Sequence, residues 1–174
     1  MKRIGYALVS LVIGTSWAHA EAPKQWATDV AIKTTGVVKQ RAFAPKGGVV
    51  FGKLAANGNS YVVVSLEEGP LACEGSRPKA GSWRLIVPVP IQVGAKVDLA
   101  KANFHGNWNP SRLAQADEKG NWASFVEGWS TPTGSATTLA MPTTKGATGR
   151  IAIDLHMDAF AMKGELPILV CTAL

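Results

Sequence analysis

The chain has 174 residues, of which 47% are hydrophobic and 17% charged, and 18 Lys and Arg against 12 Asp and Glu give a formal net charge of +6. This composition excludes a disordered chain, which has less apolar content and more charge, and the lack of a glycine period excludes a collagen-like chain. Two cysteines are too few for a small scaffold that depends on several disulfides.

Residues 1–20 have the pattern of a secretory signal peptide. Lys2 and Arg3 precede an apolar run over residues 4–13, and the segment ends in Ala18-His19-Ala20, the small-residue pattern that signal peptidase cuts. The run is too short for a bilayer, which needs about 20 helical residues. We therefore expect cleavage after Ala20, a periplasmic or secreted location, no transmembrane segment, and a single β domain over residues 21–174.

Alternating apolar and polar residues predict strands in the first half of this domain. Residues 26–33 and 36–40 are candidates for the first two strands. Residues 49–55 and 61–66 flank Ala56-Asn57-Gly58-Asn59, and an Asn-Gly pair favours a type I′ turn because both central residues need a positive φ. The sequence thus predicts a hairpin here.

Proline and glycine complicate the next segments. Residues 83–88 and 95–99 are predicted strands interrupted by Pro88 and Pro90, which cannot donate to a ladder and so indicate a sheet edge or a bend. Residues 109–121 have two interpretations: a short helix capped by Asn109 and stopped by Gly120, or a hairpin that turns at residues 117–121. We favour the hairpin.

The clearest strand pattern covers residues 150–159. Ile151, Ile153, Leu155 and Met157 alternate with polar residues, which predicts one core face and one solvated face. Met162-Lys163-Gly164 predicts a turn into residues 166–174, an antiparallel neighbour with a central apolar run. About eight short strands with frequent turn signals favour an all-β fold, an antiparallel β-sandwich or small barrel, with one possible short helix.

Cys73 and Cys171 are expected to form a disulfide, because the predicted compartment is oxidising. Closing the long loop between them would stabilise the domain. A reactive thiol or a metal ligand is the alternative, but neither cysteine belongs to a C-x-x-C motif.

A family resemblance rests on the carboxy-terminal half. A strand at residues 135–139, the segments 149–155 and 163–168, and the closing Cys171 resemble small exported β-domain proteins of bacteria, which also carry a cysteine after the second long strand, here Cys73. These proteins are largely uncharacterised and often lipoproteins. The resemblance implies the fold and adds no activity; no cysteine follows Ala20 here, so a lipid anchor is not expected.

Asp154, His156 and Asp158 form an Asp-x-His-x-Asp pattern, which strand alternation projects from one face. Carboxylate and imidazole groups are ligands for Zn, Mn or Fe, so a metal-binding protein or metalloenzyme is one hypothesis. The competing interpretation is the solvated face of an antiparallel strand, which needs polar residues at the same positions. No other cofactor is expected.

The triplet Gly-Asn-Trp occurs at residues 106–108 and again at residues 120–122. Flat indoles beside amide groups suit sugar rings, whose apolar faces stack while their hydroxyls form hydrogen bonds. The candidate ligand-binding residues are His105, Asn107, Trp108, Asn121, Trp122 and Trp129. The alternative is that the indoles fill the core and the Gly-Asn pairs form turns.

Enzyme motifs are weak in this sequence. Ser76-Arg77-Pro78-Lys79 matches Ser-x-x-Lys, but Pro78 disfavours the helical turn that aligns the two reactive side chains, and no Gly-x-Ser-x-Gly elbow is present. The basic residues are scattered and belong to no nucleic-acid-binding module. We expect an exported binding protein without catalysis that recognises a protein partner or a cell-envelope glycan; an inhibitor or immunity-like role is one form of this hypothesis.

Overall fold

The computed structural model describes residues 32–37, 41–56, 58–69, 71–73, 78–102, 111–122 and 130–174. These residues contain nine strands and no helix, which confirms the all-β prediction. Within the same ranges, no helix is long and apolar enough to cross a membrane. The strands are β1 Ile32–Thr35, β2 Gly47–Ala56, β3 Asn59–Glu67, β4 Trp83–Pro90, β5 Lys96–Asp98, β6 Arg112–Gln115, β7 Thr133–Ala140, β8 Thr148–Met157 and β9 Phe160–Val170.

All nine strands belong to one mixed sheet with the order β5-β7-β8-β9-β2-β3-β4-β6, and β1 also pairs with β9. Every pairing is antiparallel except that of β2 with β9, which is parallel and covers only three residue pairs. Over the described residues, the sheet does not close on itself. It folds over so that β4 meets β5 and β7, and the Gly94 N–H donates to the Thr138 carbonyl at 2.8 Å. The architecture is therefore sandwich-like.

The predicted hairpin is confirmed by β2 and β3. Their pairing ends at Ala56 and Asn59, and Gly58 has a φ of 76°, the left-handed conformation that this turn requires. The register of the same pair shifts between Val50 and Gly52, which marks a β-bulge at Phe51.

The prolines of β4 lie on an edge, as their chemistry predicts. β3 pairs with the whole of β4, whereas β6 pairs only with residues 83–86. Among the described strands, none pairs with β4 on that side beyond residue 86, and the Pro90 carbonyl accepts a hydrogen bond from the Thr138 hydroxyl of β7. The missing proline N–H groups therefore interrupt no ladder.

The predicted turn at residues 162–164 is wrong. β8 and β9 are joined by Asp158 and Ala159, and β9 runs without interruption from Phe160 to Val170. Asp158 adopts a φ of 49°, which a short polar side chain tolerates better than most residues. Gly164 remains in the strand because it pairs with Ile153 of β8 on one side and Ile32 of β1 on the other.

Residues 111–122 settle the choice between helix and hairpin for the part that is described. They hold β6 and a turn in which the Asp117 N–H donates to the Asn121 carbonyl at 2.8 Å, with a bridge between Ala116 and Trp122. The turn is the predicted one, and the helix is absent from this range. The second arm of the hairpin beyond Trp122 lies outside the described residues.

The predictions for the start of the domain are tested only in part. Of residues 26–33, only the last two are described, and they belong to β1. Gly36 and Val37 form no strand, so the predicted second strand does not begin there. The expected signal peptide lies outside the described residues.

One hydrophobic core forms between the inner faces of the folded sheet. Ile151, Ile153, Leu155 and Met157 all lie in it, and Arg150 and His156 are exposed, which confirms the predicted alternation as far as Met157. The predicted strand over residues 150–159 ends there, since Asp158 and Ala159 form the turn. Phe160 and Phe43 are both 1% exposed, and their ring centroids lie 5.7 Å apart. Phe43 thereby anchors the segment between β1 and β2.

The predicted disulfide is confirmed. Cys73 and Cys171 are bonded across a sequence separation of 98 residues. Cys171 directly follows β9, and its N–H donates to the Val50 carbonyl at 3.0 Å. The disulfide therefore lies beside the short parallel pair of β2 and β9.

Candidate functional site

Two of the six predicted aromatic and amide ligand residues, Asn121 and Trp122, are described. Asn121 is exposed and Trp122 is half-buried. His105, Asn107, Trp108 and Trp129 lie outside the described residues. The repeated Gly-Asn-Trp triplet can therefore be placed in the fold only at its second copy.

Asp117 builds the turn that presents Asn121 and Trp122. Its Oδ1 accepts hydrogen bonds from the Asn121 N–H at 2.8 Å and the Lys119 N–H at 2.9 Å. The Asn121 hydrogen bond is the main reason that the pKa of the Asp117 carboxyl lies below its ordinary value. The Asp117 carboxylate thus stabilises the turn by hydrogen bonds, and the turn positions Trp122 against the sheet.

Arg84 of β4 stacks on this indole. Its guanidinium carbon lies 4.5 Å from the centroid of the Trp122 ring, a cation–π contact. β6 brings the two together, because Ala114 pairs with Arg84 and the bridge to Trp122 starts at Ala116. We call the half-exposed group formed by Arg84, Asn121 and Trp122 the Arg84–Trp122 surface.

Glu67 lies directly opposite Arg84, because the two residues are paired in the register of β3 and β4. Its Oε1 accepts a hydrogen bond from the Ser65 hydroxyl at 2.9 Å. Burial raises the pKa of Glu67 despite this bond and the attraction of Arg84, and burial lowers the pKa of Arg84. Both groups are thus held in surroundings that disfavour their charged forms.

We expect Glu67→Gln to stabilise the protein at neutral pH. The pKa of Glu67 is raised in the folded state, so the folded protein binds a proton at Glu67 more tightly than the unfolded chain does. The stabilisation from this proton is complete below the ordinary pKa of 4.5, and it is lost as the pH rises through the pKa of the folded state. The variant should therefore match the native protein at about pH 3.5 and exceed its free energy of unfolding at about pH 7.

Urea unfolding at the two pH values measures this difference. Glu165→Gln, which removes an exposed carboxylate paired with Arg150 at 3.4 Å, is the control and should change stability by less than about 1 kcal/mol at either pH. A Glu67→Gln variant whose advantage does not grow with pH would contradict the assignment.

Buried nitrogen atoms without acceptors lie beside this surface. Arg84 Nε and Trp83 Nε1 are both inaccessible to solvent and bond to no acceptor in the described part of the chain. Trp83 points into the core and Arg84 to the opposite face of β4. A buried donor without an acceptor costs about 1–3 kcal/mol, so the position of Arg84 beside Trp122 is maintained at a cost in stability.

The Asp-x-His-x-Asp residues are not arranged as a metal centre. Asp154 contacts His156 Nε2 at 3.3 Å and Lys163 Nζ at 2.8 Å, and the Lys163 hydrogen bond is the main cause that lowers the pKa of Asp154. Asp158 lies in the β8–β9 turn and accepts a hydrogen bond from the Ser130 hydroxyl at 2.6 Å. The ranges that the structure describes contain no group of three His, Cys, Asp or Glu side chains that could hold a metal ion.

This polar face is built from cross-strand pairs. Lys163 faces Asp154 in register between β8 and β9, and Arg150 reaches Glu165 along the same pair of strands. These are exposed ion pairs of the kind that keep one face of an antiparallel sheet solvated. The geometry gives the metal hypothesis no support, and it stays a prediction.

Sequence reasoning did not identify Arg84 or Glu67, nor a cavity of about 370 Å³ at the other end of β4. The cavity lies at the β2–β3 turn, with Tyr61, Gln92 and Lys96 in its walls. No local motif marks these residues, because cross-strand register brings them together. Only the alternation of Arg84 with the apolar residues of β4 indicates that it points away from the core.

Comparisons with known proteins identify no relative for this arrangement. No family model matches the chain, and no curated protein or solved structure is significantly similar to it.

Proposed function

We propose that this chain is an exported binding protein that recognises a cell-envelope glycan through the Arg84–Trp122 surface. The observation that carries the proposal is the half-exposed Trp122 indole, held at 4.5 Å by the Arg84 guanidinium. The exposed Asn121 amide lies next to it in the chain. This combination offers a flat apolar surface with hydrogen-bonding groups at its side, which is what a sugar ring requires.

Rigidity supports the same proposal. The Asp117 turn fixes the backbone at Trp122, and the stacked guanidinium restricts the indole. A side chain that is ordered before binding loses less conformational entropy when the ligand arrives, and ordering a flexible side chain costs about 0.5–1.5 kcal/mol. Arg84 and Trp122 thus form a binding surface that is preorganised for the ligand.

Two features support an exported location for the proposed function. The amino-terminal pattern favours export, and a disulfide between Cys73 and Cys171 is stable in an oxidising compartment. Envelope polysaccharides are ligands that a periplasmic or secreted protein meets. Catalysis has no part in the proposal.

Trp122→Ala is expected to weaken retention on an envelope polysaccharide at least tenfold, a loss of about 1.4 kcal/mol. Co-sedimentation of the purified protein with insoluble envelope polysaccharide measures the dissociation constant, and tryptophan fluorescence provides a second readout. The loss is expected because alanine removes the stacking surface and leaves the Asp117 turn in place.

Phe51→Ala is the matched control, since Phe51 is an aromatic residue 49% exposed at the bulge of β2, two strands from β4. It should bind like the native protein. Equal retention of Trp122→Ala and the native protein would rule out the surface. Capture of a protein partner without any glycan would replace glycan recognition by the protein-binding alternative.

A further inference from the structure

Arg84 carries an unused capacity for hydrogen bonding. A guanidinium has five N–H donors in a planar fork. In the described part of the chain, Arg84 contacts the face of Trp122, its buried Nε–H has no acceptor, and its terminal Nη groups donate to no described residue. Because Nε is inaccessible to solvent, the terminal Nη groups are the donors left for a ligand.

The neighbouring carboxylates do not accept hydrogen bonds from the Arg84 guanidinium. Glu67 is opposite Arg84 in register, but its hydrogen bond comes from Ser65. Asp117 uses Oδ1 for two backbone N–H groups and Oδ2 for the Asn121 amide at 3.4 Å. Glu67 attracts Arg84 electrostatically, but neither carboxylate accepts a hydrogen bond from its guanidinium.

A half-buried guanidinium without an acceptor favours an anionic ligand. Charged groups that leave water are stable when they are paired and hydrogen-bonded, and a fork of N–H groups matches the two oxygens of a carboxylate or a phosphate ester. Arginine keeps its charge in proteins, so the attraction is present at every physiological pH. A neutral sugar would leave the terminal Nη groups without a charged acceptor.

We infer that the ligand is an acidic saccharide, whose carboxylate or phosphate ester binds the Arg84 guanidinium while a sugar ring packs against Trp122. The inference rests on the proposed function and specifies its ligand class. Two oxygens of the carboxylate or phosphate ester would accept hydrogen bonds from the Nη groups of Arg84. The Asn121 amide would form hydrogen bonds with sugar hydroxyls. The formal net charge of +6, which becomes +4 when Lys2 and Arg3 are removed with residues 1–20, favours the approach of such a polymer.

The test uses one envelope polysaccharide in three forms: native, carboxyl-reduced with carbodiimide and borohydride, and dephosphorylated with cold aqueous hydrofluoric acid. The native protein is expected to lose at least tenfold in affinity for one of the two treated forms. Loss after carboxyl reduction identifies a carboxylate, and loss after dephosphorylation identifies a phosphate ester. Unchanged affinity for both treated forms would overturn the inference.

Arg84→Gln should bind the native polysaccharide at least tenfold more weakly and should bind the neutralised form as the native protein does. This pattern separates loss of the anion contact from a displaced Trp122, which would weaken binding to all forms. Arg84→Lys keeps the charge without the planar fork and should give an intermediate affinity.

Arg150→Gln is the control, because it removes an exposed arginine from β8 of the same sheet. It should leave affinity unchanged; an equal loss in Arg150→Gln and Arg84→Gln would reduce the effect to net charge and overturn the inference. If the native protein binds the polysaccharide and Arg84→Gln binds it equally, glycan binding stands and the anion contact fails. If the native protein binds none of the three forms, the proposed function itself fails.

Discussion

Breaking the Cys73–Cys171 disulfide is expected to lower the free energy of unfolding by about 4–5 kcal/mol. The bond closes a loop with a sequence separation of 98 residues, and the entropy that a cross-link removes from the unfolded chain grows with the logarithm of loop length.

The location of the bond adds a second consequence. β2 and β9 join the two halves of the sheet through only three parallel residue pairs. Cys171 follows the last of these, Val170, and its N–H donates to Val50 of β2. Since the disulfide lies at this narrow connection, its loss should reduce hydrogen-exchange protection at residues 48–50 and 168–170 more than in the β8–β9 hairpin.

Urea unfolding in the presence and absence of reductant measures the effect. With a slope of about 2 kcal/mol per molar urea, the midpoint should fall by about 2 M. A Cys73→Ala, Cys171→Ala double variant should have the low midpoint under both conditions, since it has no disulfide to reduce. A native protein whose midpoint is unaffected by full reduction would contradict the expectation.

Local patterns predicted much of the fold. The β2–β3 hairpin follows from an Asn-Gly pair between apolar runs, and the burial of β8 follows from simple alternation. The edge position of Pro88 and Pro90 follows from a missing N–H. Each of these features depends on a few consecutive residues, so the sequence contains it directly.

Features that depend on distant partners were not predictable. Lys163 and Gly164 look like a turn, but β9 is paired on both sides at this point, and the ladder outweighs local preference. The parallel pairing of β2 with β9 left no pattern in either strand. The stacking of Arg84 on Trp122 depends on the register of β4 and β6, so sequence reasoning found the indole and missed its partner.

Phe160→Ala is expected to destabilise the protein by about 3–5 kcal/mol. Phe160 is 1% exposed, so alanine removes buried apolar surface and leaves a cavity that the surrounding strands can fill only in part. The residue also begins β9 beside the tight turn at Asp158, where Phe160 pairs with Met157. Thermal or urea unfolding of the variant measures the loss.

The contact with Phe43 makes the prediction more specific. The two rings lie 5.7 Å apart with an interplanar angle of 57°, and such aromatic pairs contribute about 0.5–1.5 kcal/mol beyond their buried area. A double-mutant cycle of Phe43→Ala and Phe160→Ala should therefore show a coupling energy of this size. Phe51→Ala removes the same group from a site 49% exposed and should change stability by no more than about 0.5 kcal/mol. Equal effects of Phe51→Ala and Phe160→Ala would mean that Phe160 does not occupy the core.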